Sequence, residues 1–453
     1  MRVVIAGGGK IGSVLLHEIY EEGHEVLLID KKESTIEHLI SSEEVCGIVG
    51  DATSVKVLME AEAGRADVFI ATLQHDEESL LAASLAKRLG AKFVIARIRT
   101  PKYGHASQLI RESMNIDYVI NPEEATAQYI RELLQFSEAQ AVASFGSAGI
   151  SLITFTIEEG EPLDGCSLID LPKLSEGHAL VCLVQRDDNV FVPNGDCVLR
   201  AHDKITITGS PQALDELYRK AGRHNQANKH CLVIGGGRFG YYTARALLEI
   251  GKHVKVIERD RARGEALLTE LPRLDVICAD GSDHDLLDEE GLERFDAVIA
   301  LTDIDEENLL IAFYAGNQGV ERVIAKVNRR RLLSVLDFER LHQATIVTPS
   351  DVSADLILRE IRACSTASGS LQQVYRLAGG EAEAVFAEVK PDSPLLHRSL
   401  SELPIKPGHL IVAILRNGEP LFPKGHDILQ AGDMILLISA DKRIPYLEAV
   451  LEG

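Results

Sequence analysis

Short, wholly apolar runs alternate along the chain with stretches in which apolar residues return every three or four positions. In the first 122 residues the runs at 2–6, 25–29, 45–49, 67–71, 92–97 and 117–120 predict strands, and the stretches at 10–22, 33–41, 76–89 and 103–114 predict helices. Runs such as VVIA, VLLI and VFIA are apolar at successive positions, as strands covered by helices on both faces of a parallel sheet must be. The alternation therefore predicts an α/β, doubly wound sheet. After Pro122 a helical face carries Ala127, Ile130, Leu133 and Leu134, and a second such face carries Leu356, Ile357 and Ile361. Both read as connectors or subunit contacts. Beyond each connector the pattern changes to short strands, LITFTI and KITITG with a hairpin-like LVQRDDNVFVP between them, then a terminal helix PQALDELYRKA. HLIVAILRNGEPLFP, DMILLIS and RIPYLEAVLE mark the same small α+β module near the end of the chain.

The pattern occurs twice. Residues 3–12, VVIAGGGKIG, return at 232–240 as LVIGGGRFG, with Gly7 and Gly235 separated by 228 residues. Asp30 maps onto Glu258, Asp51 onto Asp280, Asp67 onto Asp296, and Asn121-Pro122-Glu123 onto Thr348-Pro349-Ser350. The predicted organisation is two doubly wound Rossmann-like parallel-sheet domains (1–122 and 230–349), each followed by a connector helix (123–141 and 350–366). A small domain follows each connector (142–222 and 367–453), and the polar stretch 223–229 links the halves.

Charge and cysteines narrow the function. Forty-seven Lys and Arg against 69 Asp and Glu leave a formal charge of −22, which excludes a general nucleic-acid binder and disfavours anionic lipid. No run approaches the roughly 18 apolar residues of a membrane span, and the start MRVVIAGGGKIG predicts no cleaved leader. The seven cysteines are scattered, never spaced C-x-x-C, and read as buried reduced thiols rather than a disulfide framework or zinc site.

The candidate chemistry lies in the glycine loops. Gly7, Gly9 and Gly12 follow a strand and open a helix: the first permits the turn, the second lets a pyrophosphate approach the backbone, the third lets helix and strand pack. Asp30 ends the next strand, where it can accept hydrogen bonds from ribose hydroxyls and repel a 2′-phosphate, favouring NAD-type ligands over NADP. Gly235, Gly237, Gly240 and Glu258 repeat every element. Asp51 and Asp280 either contact an adenine amino group or cap the following helix. Lys10 and Arg238 share one slot, as a cation beside the phosphates or a solvated side chain at the helix start, and Arg97 and Lys326 share the sheet's carboxyl edge. Ile11, Ala52 and Thr72, with Phe239, Gly281 and Leu301, complete the two candidate cofactor-binding sets.

GGGKIG with Asp30, GDAT, ADVFIATLQHDEESLLAA, ARIRTPKY and LTDIDEENLL, in this tandem order, resemble the regulator-of-potassium-conductance (RCK/KTN) family. The likeness is greatest to its two-unit members, the peripheral NAD-binding subunits of Trk potassium-uptake systems, and spans the whole chain. It implies a homo-oligomeric ring, a dimer or tetramer of the two-unit chain. Such a ring is cytoplasmic and peripheral on the inner face of the membrane, and gates a membrane potassium channel subunit of the Trk type in response to NAD(H), ATP or ADP. The rival reading is an NAD-dependent dehydrogenase or reductase, which needs a proton-transfer group. The best candidate, His75-Asp76-Glu77, reads as a solvated loop, and its copy, Ile304-Asp305-Glu306, lacks the histidine.

Overall fold

The computed structural model describes residues 1–40, 45–100, 107–136, 139–145, 150–171, 179–187, 189–210, 213–214, 216–217, 229–329, 332, 344–365, 371–441, 444 and 447–451. The chain divides into two compact units, Met1–Arg131 with Asn228–Cys364, and Glu132–Ala227 with Ser365–Gly453. Contacts thus group like with like, sheet domain with sheet domain and small domain with small domain.

In the first unit, β1 (Arg2–Ala6), β2 (Glu25–Asp30), β3 (Cys46–Val49), β4 (Val68–Ala71), β5 (Phe93–Arg97) and β6 (Tyr118–Ile120) form a parallel sheet in the order β3-β2-β1-β4-β5-β6. The reversal of strand order between β1 and β4 opens the crevice where this topology receives ligands. Successive residues of β1 and β4 point to opposite faces. Val4, Ala6, Phe69 and Ala71 meet the helices α3 (Val55–Glu60) and α4 (Asp76–Leu89), while Val3, Ile5, Val68 and Ile70 meet α1 (Lys10–Glu21) and α2 (Glu33–Ile40). Full burial on both sides is why these strands read as unbroken apolar runs. α5 (Ser107–Met114) completes this fold; the predicted start of that helix at 103 lies outside the described residues.

α6 (Pro122–Leu133) leads out of this domain, and the second sheet domain follows with strands β12 (His230–Ile234), β13 (His253–Ile257), β14 (Asp275–Ile277), β15 (Ala297–Ala300), β16 (Arg322–Lys326) and β17 (Ala344–Val347). Their order, β14-β13-β12-β15-β16-β17, repeats the first, with helices α7 (Arg238–Glu249), α8 (Arg261–Glu270), α9 (His284–Glu289), α10 (Asp305–Asn317) and α11 (Pro349–Ser365).

The two sheet domains exchange their connector helices. Ala354, Ile357, Leu358 and Ile361 of α11 pack into the core of the first sheet beside Leu15 and Ile19, and Arg362 donates to Glu22 Oε1 at 2.5 and 3.0 Å. In return, Asn121 donates to the Tyr242 hydroxyl at 2.8 Å and Glu124 pairs with Arg245 at 2.5 Å. The expectation that the connector around Ile357 forms a contact between subunits is therefore corrected. Ile357 is wholly buried against the other half of its own chain, since an apolar face this wide must be covered before any partner arrives.

In the second unit, β7 (Ala141–Phe145), β8 (Ile150–Thr156), β9 (Ala179–Arg186), β10 (Asn189–Phe191) and β11 (Lys204–Gly209) form an antiparallel sheet ordered β10-β9-β11-β8-β7. β18 (Leu371–Leu377), β19 (Ala382–Glu388), β20 (His409–Arg416), β21 (Glu419–Leu421) and β22 (Met434–Ser439) repeat it as β18-β19-β22-β20-β21. One core draws on both sheets, with the Phe145 ring 4.2 Å from that of Tyr375 and 5.7 Å from that of Phe386. Each sheet keeps a bidentate ion pair at the same position, Arg186–Asp203 at 2.6 Å and Arg416–Asp433 at 2.7 Å. All but the last residue of the linker 223–229 and most of the predicted terminal helix at 211–221 lie outside the described residues.

All seven cysteines are free, but only Cys182 and Cys231 are buried, and burial pushes both thiols up to about 12. Cys46, Cys278 and Cys364 are exposed, which corrects the expectation of uniformly buried thiols: Cys46 and Cys278 lie at or beside the outermost strands of their sheets.

Candidate functional site

Each glycine loop is shaped by positions that exclude a side chain. Gly7 has φ +104° and Gly235 φ +103°, the left-handed region that glycine enters without strain. A Cβ on Gly12 would lie 1.9 Å from the Gly7 carbonyl oxygen, and one on Gly240 2.0 Å from that of Gly235, so the helix can rest on the turn only without a side chain there. Gly9 and Gly237 differ: a Cβ there would meet nothing within 4 Å and would stand in the space in front of the helix. These two are the N-caps of α1 and α7, and neither helix start has a side-chain cap. The first-turn N–H groups, together with the helix dipole, therefore suit an anion.

The acid at the end of the second strand braces each loop. Asp30 accepts from Gly8 N–H at 2.8 Å and from Lys32 N–H at 2.9 Å, one bond to each oxygen. Glu258 accepts from Gly236 N–H at 2.8 Å and Asp260 N–H at 2.7 Å, and is more deeply buried. Each carboxylate oxygen keeps a lone pair for a further donor, as a ribose hydroxyl requires. The loops and acids thus fit a dinucleotide.

Neither Asp51 nor Asp280 caps the helix that follows. Asp51 Oδ1 accepts from Thr53 N–H and Oγ1 at 2.9 and 2.7 Å, and Asp280 Oδ1 from Ser282 N–H and Oγ at 3.0 and 2.8 Å, while Ser54 and Asp283 are the N-caps. These hydroxyl and amide bonds hold both carboxyls below the usual carboxylate range. Lys31 adds a 3.3 Å ion pair to Asp51. Thr72 hydrogen-bonds the Gly7 carbonyl at 3.1 Å, a bond that Leu301, its copy, cannot make. Ile11, Ala52 and Leu301 are buried core residues beneath the loops. Gly281 sits against Ile234, where a Cβ would come within 2.3 Å of it.

A cleft of about 180 Å³ is lined by Gly235, Gly237, Glu258, Asp280, Gly281 and Leu301, so six predicted residues of the second set meet at one opening. A larger one of about 370 Å³ lies before the same loop and is lined by Gly237, Arg238 and Phe239. Its wall also contains Arg99 and Glu123, from the other half of the chain. Glu123 is fully buried; its Oε1 accepts from Arg99 Nε at 2.7 Å and lies 3.3 Å from Arg238 Nε. Neither Arg99 nor Glu123 is in the predicted sets. No local signal marks them, because they reach the loop only through the exchange of connectors.

Arg97 and Lys326 are not free cations at the sheet edge. Arg97 donates to the Leu73 and Gln74 carbonyls, and burial, reinforced by the Arg99 charge, pushes its guanidinium down to about 10. Lys326 is almost wholly buried, its Nζ 4.6 Å from the Phe239 ring centroid, and burial lowers its pKa. Asp76 is no solvated loop residue either: it is buried at the start of α4 and accepts from Arg99 N–H and Thr100 N–H at 3.0 and 2.9 Å. Asp305 accepts from the Asn328 side-chain Nδ2 at 2.9 Å and from Arg329 N–H at 3.0 Å. Both acids tie a helix start to a strand exit.

Two carboxylate-braced glycine loops at the switch points of two matching parallel sheets, with paired antiparallel modules, define a tandem dinucleotide-fold protein. The TrkA-N domain matches residues 3–122 and 231–349, and the TrkA-C domain residues 152–222 and 385–451. The chain belongs to the TrkA family, and its architecture is the tandem RCK fold. A Trk system potassium uptake protein TrkA homolog of Archaeoglobus fulgidus is 31% identical over 450 residues, 99% of this chain and 100% of its own length. Trk system potassium uptake protein TrkA of Vibrio alginolyticus is 27% identical over 450 residues, 98% of this chain and 96% of its own. Among solved structures, the GsuK channel shares the fold with a TM-score of 0.63 at 18% identity, over 97% of this chain and 76% of that one. The GsuK channel bound to NAD gives 0.61 at the same identity and the same coverage of both chains.

Proposed function

We propose that the chain is the nucleotide-sensing regulatory subunit of a Trk-type membrane potassium channel or uptake protein. In this reading it binds NAD(H), with ATP or ADP as further ligands, at both glycine loops. It works as a homo-oligomeric ring, cytoplasmic and held at the inner face of the membrane by its channel partner. The observation that carries the reading is the recurrence of one arrangement: a glycine turn, an uncapped helix start and a carboxylate braced at the next strand end. Membership of the TrkA family and the NAD-bound state of the GsuK channel support it. No helix among the described residues is long and apolar enough to cross a membrane, in keeping with a peripheral subunit.

The pyrophosphate would lie on the first-turn amides of α1 and α7, and the ribose hydroxyls on Asp30 and Glu258. The ligand supplies charge and shape, and the chain's own residues bind and orient it without transferring a proton. It can gate only by binding one state of the ring better than another. Calorimetric titration of the full chain with NADH and ATP, beside an NADH-oxidation assay with a metabolite panel, tests the reading. Binding without turnover is expected. Sustained NADH oxidation would establish the dehydrogenase alternative, and no binding of either nucleotide would refute nucleotide sensing.

A further inference from the structure

The adenosine ends of the two sites carry the same three charges, tied together in one copy and apart in the other. In the second half, Arg259 at the exit of β13, Asp280 beyond β14 and Glu307 in the first turn of α10 stand on the wall of the cleft of about 180 Å³. Among the described residues none of the three joins an ion pair, and Asp280 engages only Oδ1, with Ser282. Their copies, at the spacing that relates the two halves, are Lys31, Asp51 and Glu78. Here one ammonium is shared: Lys31 Nζ donates to Glu78 Oε1 at 2.9 Å and lies 3.3 Å from Asp51 Oδ2, the oxygen that Thr53 leaves free. Lys31 therefore straps the exits of the second and third strands to the start of α4, on the side of the loop where Asp30 would hold the ribose.

We propose that Lys31 is an affinity-determining strap over the first adenosine subsite, so that the two sites of one chain fill in order, the second before the first. This rests on the reading of both glycine loops as nucleotide sites. The adenosine part of NADH, ATP and ADP is uncharged, and the ligand's charge lies on phosphates at the start of α1. An adenosine entering beside Asp30 displaces the ammonium from Asp51 and Glu78 and brings no charge to replace it. Two carboxylates then face the base without their shared cation. At the second site Arg259 starts apart from Asp280 and Glu307, so entry breaks no ion pair. Partly exposed ion pairs are each weak, and two on one ammonium amount to a severalfold difference in affinity rather than an all-or-none block.

The test is calorimetric titration of the full chain with NADH, comparing the unmodified protein with Lys31→Met and Lys32→Met. The unmodified chain should show two classes of site, one of each per chain, about fivefold apart, and Gly12→Ala should remove the weaker. Lys31→Met replaces an exposed side chain, leaves the core untouched and removes the strap. It should tighten the weaker class about fivefold while changing the tighter one less than about twofold. The sign separates the strap from simple attraction, because loss of a cation near a phosphate ligand otherwise weakens binding. Lys32→Met removes an equal charge one residue away and no ion pair, and should leave NADH binding unchanged or weaken it. Equal classes in the unmodified protein, unchanged or weakened NADH binding in Lys31→Met, or equal tightening in Lys32→Met would overturn the inference and leave the nucleotide reading intact. Absence of NADH binding in the unmodified protein would overturn both.

Discussion

The two glycine loops of this chain are alike where backbone geometry decides, and different at several positions where a side chain reaches outward. Gly7 and Gly235 share their left-handed conformation, and Gly12 and Gly240 share the same close approach to a carbonyl. Around them Asp30 is replaced by Glu258, Lys10 by Arg238, Thr72 by Leu301, Arg97 by Lys326 and Glu123 by Ser350. The glycines that hold the shape of the turn are the same in both copies. The parts that set charge and reach have diverged, so two copies of one fold present unequal surfaces to a ligand.

The hardest blow to this comparison would come at the exchanged helices, because there each half completes the other. Ile357→Asp places a charge in the core of the first sheet, and we expect it to cost about 4 kcal/mol. The loss should appear as a lowered melting temperature for the first sheet domain, although the substituted residue lies in the second half of the sequence. Hydrogen exchange resolved along the chain can tell that pattern from local damage confined to α11.

The equivalence of the turns can be broken one copy at a time. Gly12→Ala and Gly240→Ala each push a Cβ into a carbonyl and should cost about 3 kcal/mol. Each should remove nucleotide binding at its own loop, so the stoichiometry measured by calorimetry should fall by half in either variant and to nothing in both together.

A smaller effect sharpens the first site. Asp30→Ala removes the charge facing the ribose edge and should narrow the preference for NADH over NADPH by about tenfold, roughly 1.4 kcal/mol. Equal affinities in the unmodified protein would mean that Asp30 does not face the ribose. The smallest effect is acid sensitivity. Hydroxyl and amide bonds hold Asp51 and Asp280 below the usual carboxylate range, so each adds stability that is present in and above that range and lost as pH falls through the lower folded-state value. In Asp51→Asn and Asp280→Asn, melting temperatures measured from about pH 5 down to about pH 3 should fall less steeply than in the unmodified protein.

Much of this was legible in the chain because burial leaves a strong trace. The strands of both parallel sheets are covered on two faces and therefore read as unbroken apolar runs. The glycine loops carry a spacing that only one turn explains. β7, β18 and β19 left no such trace: Ala141-Val142-Ala143-Ser144-Phe145 follows directly on a helical pattern, and the alternation in Leu371–Leu377 is diluted by glutamines. Only the neighbouring small domain, through Phe145 against Tyr375 and Phe386, gives these segments a face to cover. Arg99 and Glu123 were hidden for the same reason. Their role depends on which half of the chain the connector visits, and periodicity does not encode that destination.

We propose that nucleotide occupancy of these loops governs potassium movement through a membrane partner. The most direct measurement is potassium flux through the Trk-type channel subunit reconstituted in liposomes with the full chain, across NADH, NAD, ATP and ADP. Flux should change with the nucleotide supplied, and the response should be lost in the Gly12→Ala, Gly240→Ala double variant. Flux identical under all four nucleotides, with the chain bound to the channel, would contradict it.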